Sequence, residues 1–260
     1  MRTITSIKNA KNQEKLVMIT AYDALFARLF DEKVDMILVG DSLNNSFNAQ
    51  SDTISVDLDM MIYHTKAVMR GARNTFVAVD MPFGTYTDEK IALKNATKVY
   101  QQTGAHAVKI EGGEARAHIV KALTSNSIAV VGHIGLMPQF ARSEGGFKIK
   151  GKDAEDTKKL VEDAKAIEKA GAFCIVVEGV KEDAARAVSE AVNVPTIGIG
   201  AGRYTDGQVL VWSDMLGFFE EFKPKFVKRY LNGADIVKEA VARYAQEVKE
   251  GKFPDDNFIY

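Results

Sequence analysis

The stretches AVKIEGG (107–113) and FCIVVEG (173–179) decide the reading of this chain. Each is a short apolar run that stops abruptly at a charged side chain followed by glycine. Four more stretches repeat the pattern: MILVGDS (36–42), FVAVD (76–80), IAVVGHIG (128–135) and PTIGIGAG (195–202). Runs this short and this continuously apolar fit parallel strands buried on both faces. Parallel α/β folds build their sites at the carboxyl ends of such strands. Asp41, Asp80, Lys109, Glu111, His133 and Glu178 would then converge at one end of a sheet. A purely structural scaffold gains nothing from gathering such groups, so the pattern points to an enzyme.

Working outward, LVMIT (16–20) supplies a first strand and GQVLVWSD (207–214) an eighth. Helical spacing fills the intervals. Leu25, Phe26, Leu29 and Phe30 form one set, and Leu58, Met61, Ile62, Thr65, Val68 and Met69 another, with Ser55 or Asp57 as its cap. Further helices are expected over Ile91–Tyr100 ending near Gly104, from Glu114 to Leu123, from Asp153 to Ala170, and over 182–191. A last amphipathic helix covers Ile236–Val248, with Ile236, Val237, Ala240, Val241 and Tyr244 on one side. Eight strands with intervening helices predict an α/β (β/α)8 TIM barrel; a doubly wound open sheet is the alternative. The chain has 260 residues, and one such barrel takes about 250. A single catalytic domain over 1–260 is therefore expected.

Composition removes several function classes. A formal net charge of −1 offers nothing to nucleic acid or an anionic membrane. No apolar stretch is long enough to span a bilayer, and the first residues lack the core of a signal peptide. The single cysteine, Cys174, precludes an internal disulfide and sits where a small core residue is wanted. A soluble cytoplasmic setting is expected.

Strand side chains alternate, so Lys109 and Glu111 face one way and Ile110 the other. Neither ion sits cheaply beneath a helix layer, so both should point into the barrel mouth, as an ion pair or as ligand contacts. Asp41 and Asp80 singly would pass for turn or cap residues. With Glu111 they form a set of hard oxygen donors of the kind that suits Mg²⁺, and no His/Cys pattern suggests zinc. Ser42 offers a hydroxyl beside Asp41, or is a simple turn residue. Glu178, closing an apolar strand, suits a general base or a partner for a nearby cation. His133 lies between glycines with room to meet a ligand; His64, His106 and His118 fit surface or packing positions. GIGAG (198–202) lacks the spacing of a dinucleotide fingerprint and reads as close backbone approach at the barrel mouth. RSEGGFKIKGKD (142–153) reads as a lid or an ordinary solvated loop. A divalent ion, a lysine and a base together suit proton abstraction beside the carbonyl of a 2-oxo acid, followed by attack on an electrophile the residues do not name.

The motifs then carry a resemblance. ITAYD (19–23), LVGDSL (38–43), YHTKAVMRGA (63–72), VDMPFGTY (79–86), VKIEGG (108–113), GHIGLMPQ (132–139), GGFKIKG (145–151), IGIGAG (197–202), DGQVLV (206–211) and PKFVKRY (224–230) occur in the order found in the ketopantoate hydroxymethyltransferase family. The resemblance covers nearly the whole chain. It implies a TIM barrel of the phosphoenolpyruvate/pyruvate superfamily. It also implies transfer of a hydroxymethyl group from 5,10-methylenetetrahydrofolate to 3-methyl-2-oxobutanoate, giving 2-dehydropantoate for pantothenate synthesis. It further implies Mg²⁺ on Asp41 and Asp80 with Glu111 in or beside that shell, and substrate contacts from Ser42 and Lys109. Glu178 becomes the proton acceptor, His133 a supporting pocket residue, and the chain a homo-oligomer, commonly a decamer. One departure stands out: GDSLNNSF has Asn44 and Asn45 where the family usually has a glycine. Two other readings remain: an Mg²⁺-dependent 2-oxo-acid lyase of the same superfamily, which would typically carry a lid cysteine absent here, and an inactive barrel serving as a binding module.

Overall fold

Eight parallel strands close on themselves in sequence order, β1 pairing with both β2 and β8. The computed structural model describes residues 1–220 and 223–260. The strands are β1 (Leu16–Thr20), β2 (Met36–Val39), β3 (Phe76–Asp80), β4 (Ala107–Glu111), β5 (Val130–Gly135), β6 (Cys174–Glu178), β7 (Thr196–Ile199) and β8 (Gly207–Leu210). The expected (β/α)8 barrel is what forms, and the open sheet is set aside. The eighth strand is shorter than its apolar run because Trp212–Met215 turns helical.

Alternation sets what fills the barrel. Leu16, Met18, Met36, Leu38, Phe76, Ala78, Ala107, Val131, Cys174, Val176, Ile197 and Val209 form one buried cluster with Ile7 and Ala10. Two residues further along the same strand faces come Asp80, Lys109 and His133, and Glu178 follows Val176. The interior is therefore apolar towards the strands' amino ends and polar at their carboxyl ends.

The helices begin where sequence signals place them. Asp23, Asp57, Asp88 and Asp153 each accept a hydrogen bond from the backbone N–H three residues on, satisfying a donor that has no partner inside the helix. Asp57, not Ser55, caps helix Leu58–Gly71. Gly104 ends helix Glu89–Thr103 at φ +73°, a left-handed conformation that glycine adopts without Cβ strain. The helix expected from the spacing of Leu25, Phe26, Leu29 and Phe30 forms over Ala24–Phe30, with Leu25 and Leu29 exposed and Ala27 buried. Asn44, at the departure from the family pattern, is buried and donates from Nδ2 to Asp52 O at 2.7 Å and to Ser55 Oγ at 2.9 Å, so its amide ties this loop together.

At the amino ends of the strands, Asp206 accepts hydrogen bonds from Lys11 Nζ (2.8 Å) and from Thr196 N and Oγ1 (both 2.9 Å). Lys11 also donates to Ser189 O at 2.6 Å.

The chain divides into two compact units, Met1–Val211 and Trp212–Tyr260. The first contains all eight strands. The second carries helix Gly233–Lys249, on which Ile236, Val237, Val241 and Tyr244 are exposed. Among the described residues no helix is long and apolar enough to cross a membrane.

Candidate active site

Strand register assembles the site. Asp80 is paired with Lys109, Glu111 with His133, and Gly135 with Glu178. Because these pairs share the inward face, the side chains meet across β3 to β6. Lys109 Nζ lies 3.0 Å from Asp80 Oδ1, an ion pair whose angles fall short of a hydrogen bond. The same ammonium lies 3.1 Å from His133 Nδ1. His133 Nε2 lies 3.2 Å from Glu178 Oε2, an ion-pair contact short of a hydrogen bond, and Nδ1 approaches Glu111 Oε1 at 3.5 Å. Asp41 joins through its backbone, whose N–H donates to Asp80 Oδ2 at 3.0 Å. Asp41, Asp80, Lys109, Glu111 and His133 are all buried, whereas the Glu178 side chain keeps 23% of its surface exposed. Of the ionisable groups expected at the mouth, Glu178 is thus the one facing the opening.

Ser42 stands slightly apart. Its Oγ is 2.8 Å from the Tyr22 hydroxyl, at the start of the short helix Leu43–Ser46. In this arrangement its hydroxyl is engaged with a phenol.

Two residues that charge and periodicity pass over hold the acids together. The Gln139 amide donates from Nε2 to Asp41 Oδ2 at 2.9 Å and to Met81 O at 3.0 Å, while its backbone N–H donates to Glu111 Oε2 at 3.1 Å. Tyr86 donates to Gln139 Oε1 at 2.5 Å. Tyr86 lies in the turn after β3, and Gln139 in the single 3₁₀ turn Pro138–Phe140 after β5. Their only signal in the sequence was membership of VDMPFGTY and GHIGLMPQ.

The electrostatics are unbalanced. Burial, then the negative charges of Asp80 and Glu111, push the Asp41 carboxyl well above the ordinary aspartate value. Burial also raises Asp80, against the pull of Lys109. Burial would raise Glu111 too, but its contact with His133 outweighs this and leaves it lowered. For Lys109, burial and the three carboxylates act in opposite directions; the carboxylates prevail and its value is raised. For His133, burial and Lys109 favour the neutral ring, but Glu111 and Glu178 prevail and raise it to about 9. A doubly protonated ring cannot accept from Lys109 at Nδ1, so the 3.1 Å approach is a cation–cation contact held by the surrounding acids whenever both are charged. Four carboxylates, Asp41, Asp80, Glu111 and Glu178, thus face one ammonium and one imidazolium. Burial first, and then this shortage of positive charge, favours the protonated form of Asp41.

That deficit, with the unbonded oxygens Asp80 Oδ1 and Glu111 Oε1, is what a divalent cation relieves. Mg²⁺ commonly takes one or two protein carboxylates and keeps its waters. Among the described residues no group of three or more His, Cys, Asp and Glu side chains is arranged to hold a metal ion by itself. Asp41 and Asp80 fit the ion as donors. Glu111, with one oxygen taken by Gln139, fits beside them.

Of the remaining histidines, His106 accepts from Val77 N at 2.9 Å and stacks on Phe76, and His64 Nδ1 lies 2.6 Å from Tyr22 O; both are packing residues. In the 142–153 segment, residues 142–144 belong to the short helix Ala141–Glu144, and Lys150 is tied to the barrel by Lys150 N donating to Gly179 O and Lys181 N to Lys150 O.

Comparison with known proteins bears on all of this. The family model described as ketopantoate hydroxymethyltransferase matches residues 1–256. A protein of Aliarcobacter butzleri (strain RM4018) named 3-methyl-2-oxobutanoate hydroxymethyltransferase is 66% identical over 99% of this chain and 96% of its own length. One of the same name from Sulfurimonas denitrificans (strain ATCC 33889 / DSM 1251) is 63% identical over 99% and 98%. Among solved structures, phosphonopyruvate hydrolase in complex with oxalate and Mg²⁺ superposes with TM-score 0.63 at 13% identity, covering 100% of this chain and 92% of that one. 2,3-Dimethylmalate lyase, a member of the PEP mutase/isocitrate lyase superfamily, superposes with TM-score 0.60 at 16% identity, covering 100% and 92%. At such identities these two speak for the fold alone.

Proposed function

This chain belongs to the ketopantoate hydroxymethyltransferase family, and from that premise we propose how its residues carry the transfer. It is an enzyme, a hydroxymethyltransferase. The proposed reaction takes the one-carbon unit of 5,10-methylenetetrahydrofolate, with water, onto C3 of 3-methyl-2-oxobutanoate, releasing tetrahydrofolate and 2-dehydropantoate. The observation that carries the reading is the continuous line Glu178–His133–Lys109–Asp80 across the barrel mouth, with contacts of 3.0–3.2 Å.

Glu178 is the proton acceptor. It is the carboxylate with access to the opening, and a base must reach its proton before its basicity matters. His133 places a positive charge 3.2 Å from Glu178 Oε2, an ion-pair contact that keeps the carboxylate towards the pocket. Lys109 directs a buried ammonium at the region where the keto acid's oxygens gain charge, an effect strengthened by exclusion of water. Ser42 adds a hydroxyl for the substrate carboxylate once it turns from Tyr22. Asp41 and Asp80, with Glu111 beside them, would hold Mg²⁺, which supplies Lewis-acid polarisation of the keto acid when bound. Identity of 66% along essentially the whole chain favours this reading over a superfamily lyase, and the retention of Asp41, Asp80, Lys109, Glu111 and Glu178 favours it over an inactive barrel.

We extend the family expectation of a homo-oligomer, commonly a decamer, to this chain. The exposed row Ile236, Val237, Val241 and Tyr244 offers it an apolar surface, and mass by light scattering tests it. A cytoplasmic setting accords with a lone buried thiol.

The chemistry is tested by proton NMR of 3-methyl-2-oxobutanoate with enzyme and Mg²⁺ in D₂O. The expected result is loss of the C3 proton signal, abolished by EDTA and by Glu178→Gln, and product on adding the folate. Absence of both exchange and product would refute the reading. Normal turnover by Glu178→Gln would remove that residue from its role.

A further inference from the structure

Next to the buried acids lies an open cavity of about 420 Å³, within the range of about 300–1,000 Å³ usual for small-molecule sites. Gln139 and Tyr86, the pair that holds Asp41, form part of its wall, with Phe83, Phe140, Arg116 and Arg142 around them. A ligand in this space is therefore one side chain away from the carboxylates. A five-carbon keto acid leaves most of it empty.

The walls suit a particular kind of molecule. Phe83 follows β3 in a turn closed by Thr85 N donating to Pro82 O at 3.1 Å, with Gly84 at φ +79°. The turn presents the Phe83 ring at 52% exposure on the same cavity wall as Phe140, so a flat ring system can lie against two aromatic faces. The two arginines differ. Arg142 is committed to Asp52 at 2.7 Å. Arg116 makes no ion pair among the described residues, and its guanidinium lies 5.8 Å from the centre of the Tyr86 ring. A half-buried guanidinium without a carboxylate is a ready anion receptor, and its planar fork matches a carboxylate.

Taking the folate-dependent reading above as its basis, we propose that this cavity seats the one-carbon donor. The flat ring system lies against Phe83 and Phe140, and the anionic glutamate tail lies on Arg116. The carrier then stands at the wall formed by Gln139 and Tyr86, on the side from which its carbon reaches the keto acid.

The test is direct binding of tetrahydrofolate, the carrier without its transferable carbon, measured by calorimetry. Phe83→Ala and Arg116→Met, the latter retaining the stem that packs by Gly112, are each expected to weaken binding 10-fold or more, and Phe83→Tyr to retain it. Tetrahydropteroate, which lacks the glutamate tail, separates the two contacts: Phe83→Ala weakens its binding, whereas Arg116→Met leaves it as in the parent enzyme. If the parent forms product from methylenetetrahydrofolate yet both variants bind tetrahydrofolate as it does, the cavity assignment is wrong and the reaction stands. If the parent neither binds the carrier nor forms product, both fall together.

Discussion

Replacing Gln139 with leucine tests whether the acids are held in place by neutral side chains. Leucine is close to glutamine in size and leaves the backbone N–H on Glu111 intact. It deletes the two bonds donated to Asp41 Oδ2 and Met81 O and the one accepted from Tyr86. A hydrogen bond to a charged group contributes about 1.5–3 kcal/mol, and each buried polar group left without a partner costs about 1–3 kcal/mol. These contributions overlap in one network, so we take about 3 kcal/mol as the expected loss, equivalent to a fall in Tm of roughly 6–12 °C for a chain of this size. There is a second, electrical consequence. The Gln139 bond favours the ionised form of Asp41, so its loss raises that carboxyl further, and Mg²⁺ uptake in the variant shifts to higher pH. Calorimetric melts of the metal-free protein and Mg²⁺ titrations between pH 6 and 8 read both effects. A Tm within about 2 °C of the parent, together with unchanged Mg²⁺ affinity at pH 6, would refute the account.

Three other outcomes are expected. Lys109→Met removes the cation from a buried pair and should cost about 3–5 kcal/mol at pH 7; the deficit in Tm should shrink on acidification as the stranded carboxylates take up protons, and a deficit independent of pH would count against it. In Gly135→Ala the new Cβ would fall 2.3 Å from Glu178 O at a backbone φ of +98°, so a loss of about 1–3 kcal/mol should accompany a fall in kcat, and unaltered kinetics would show that Glu178 is not displaced. Asp206 is held below its ordinary value: burial raises it, but Lys11 and Thr196 lower it more. Its contribution is therefore complete above the unfolded value of about 3.9 and is lost as pH falls through the lower folded value. The Tm difference between the parent and Asp206→Asn should be large at pH 7 and small near pH 2, and equal differences at both would disprove the linkage.

Most strands could be read from the sequence because burial on both faces leaves no room for alternation, so they are plain apolar runs with a polar stop; β1 and β8, with Val17 and Gln208 exposed, are the exceptions. The period of two along β4 was enough to place Lys109 and Glu111 together. What sequence could not supply was register. His133 reads as a glycine-flanked histidine at a strand end, and only when β5 is paired with β4 and β6 does it meet Lys109, Glu111 and Glu178 at once. Gln139 and Tyr86 escaped for a different reason: an amide in a single 3₁₀ turn and a phenol in a turn have neither charge nor periodicity to betray them. The spacing of Leu25, Phe26, Leu29 and Phe30 marked a helix but not its buried face, which is set by the smaller Ala27. Ser42, placed correctly beside Asp41, engages Tyr22, a partner twenty residues earlier that no local pattern indicates.

Cys174 sits in the apolar plug of the barrel, fully enclosed, its thiol pushed up to about 12 by burial. As the chain's one sulfhydryl, it turns the barrel into its own opening gauge. A thiol-directed dye can reach it only when β6 parts from its neighbours, so the labelling rate reports how often the staves separate, without any engineered probe. Added keto acid and Mg²⁺, bound at the far end of the same strands, should slow that rate in proportion to how firmly they clasp the rim.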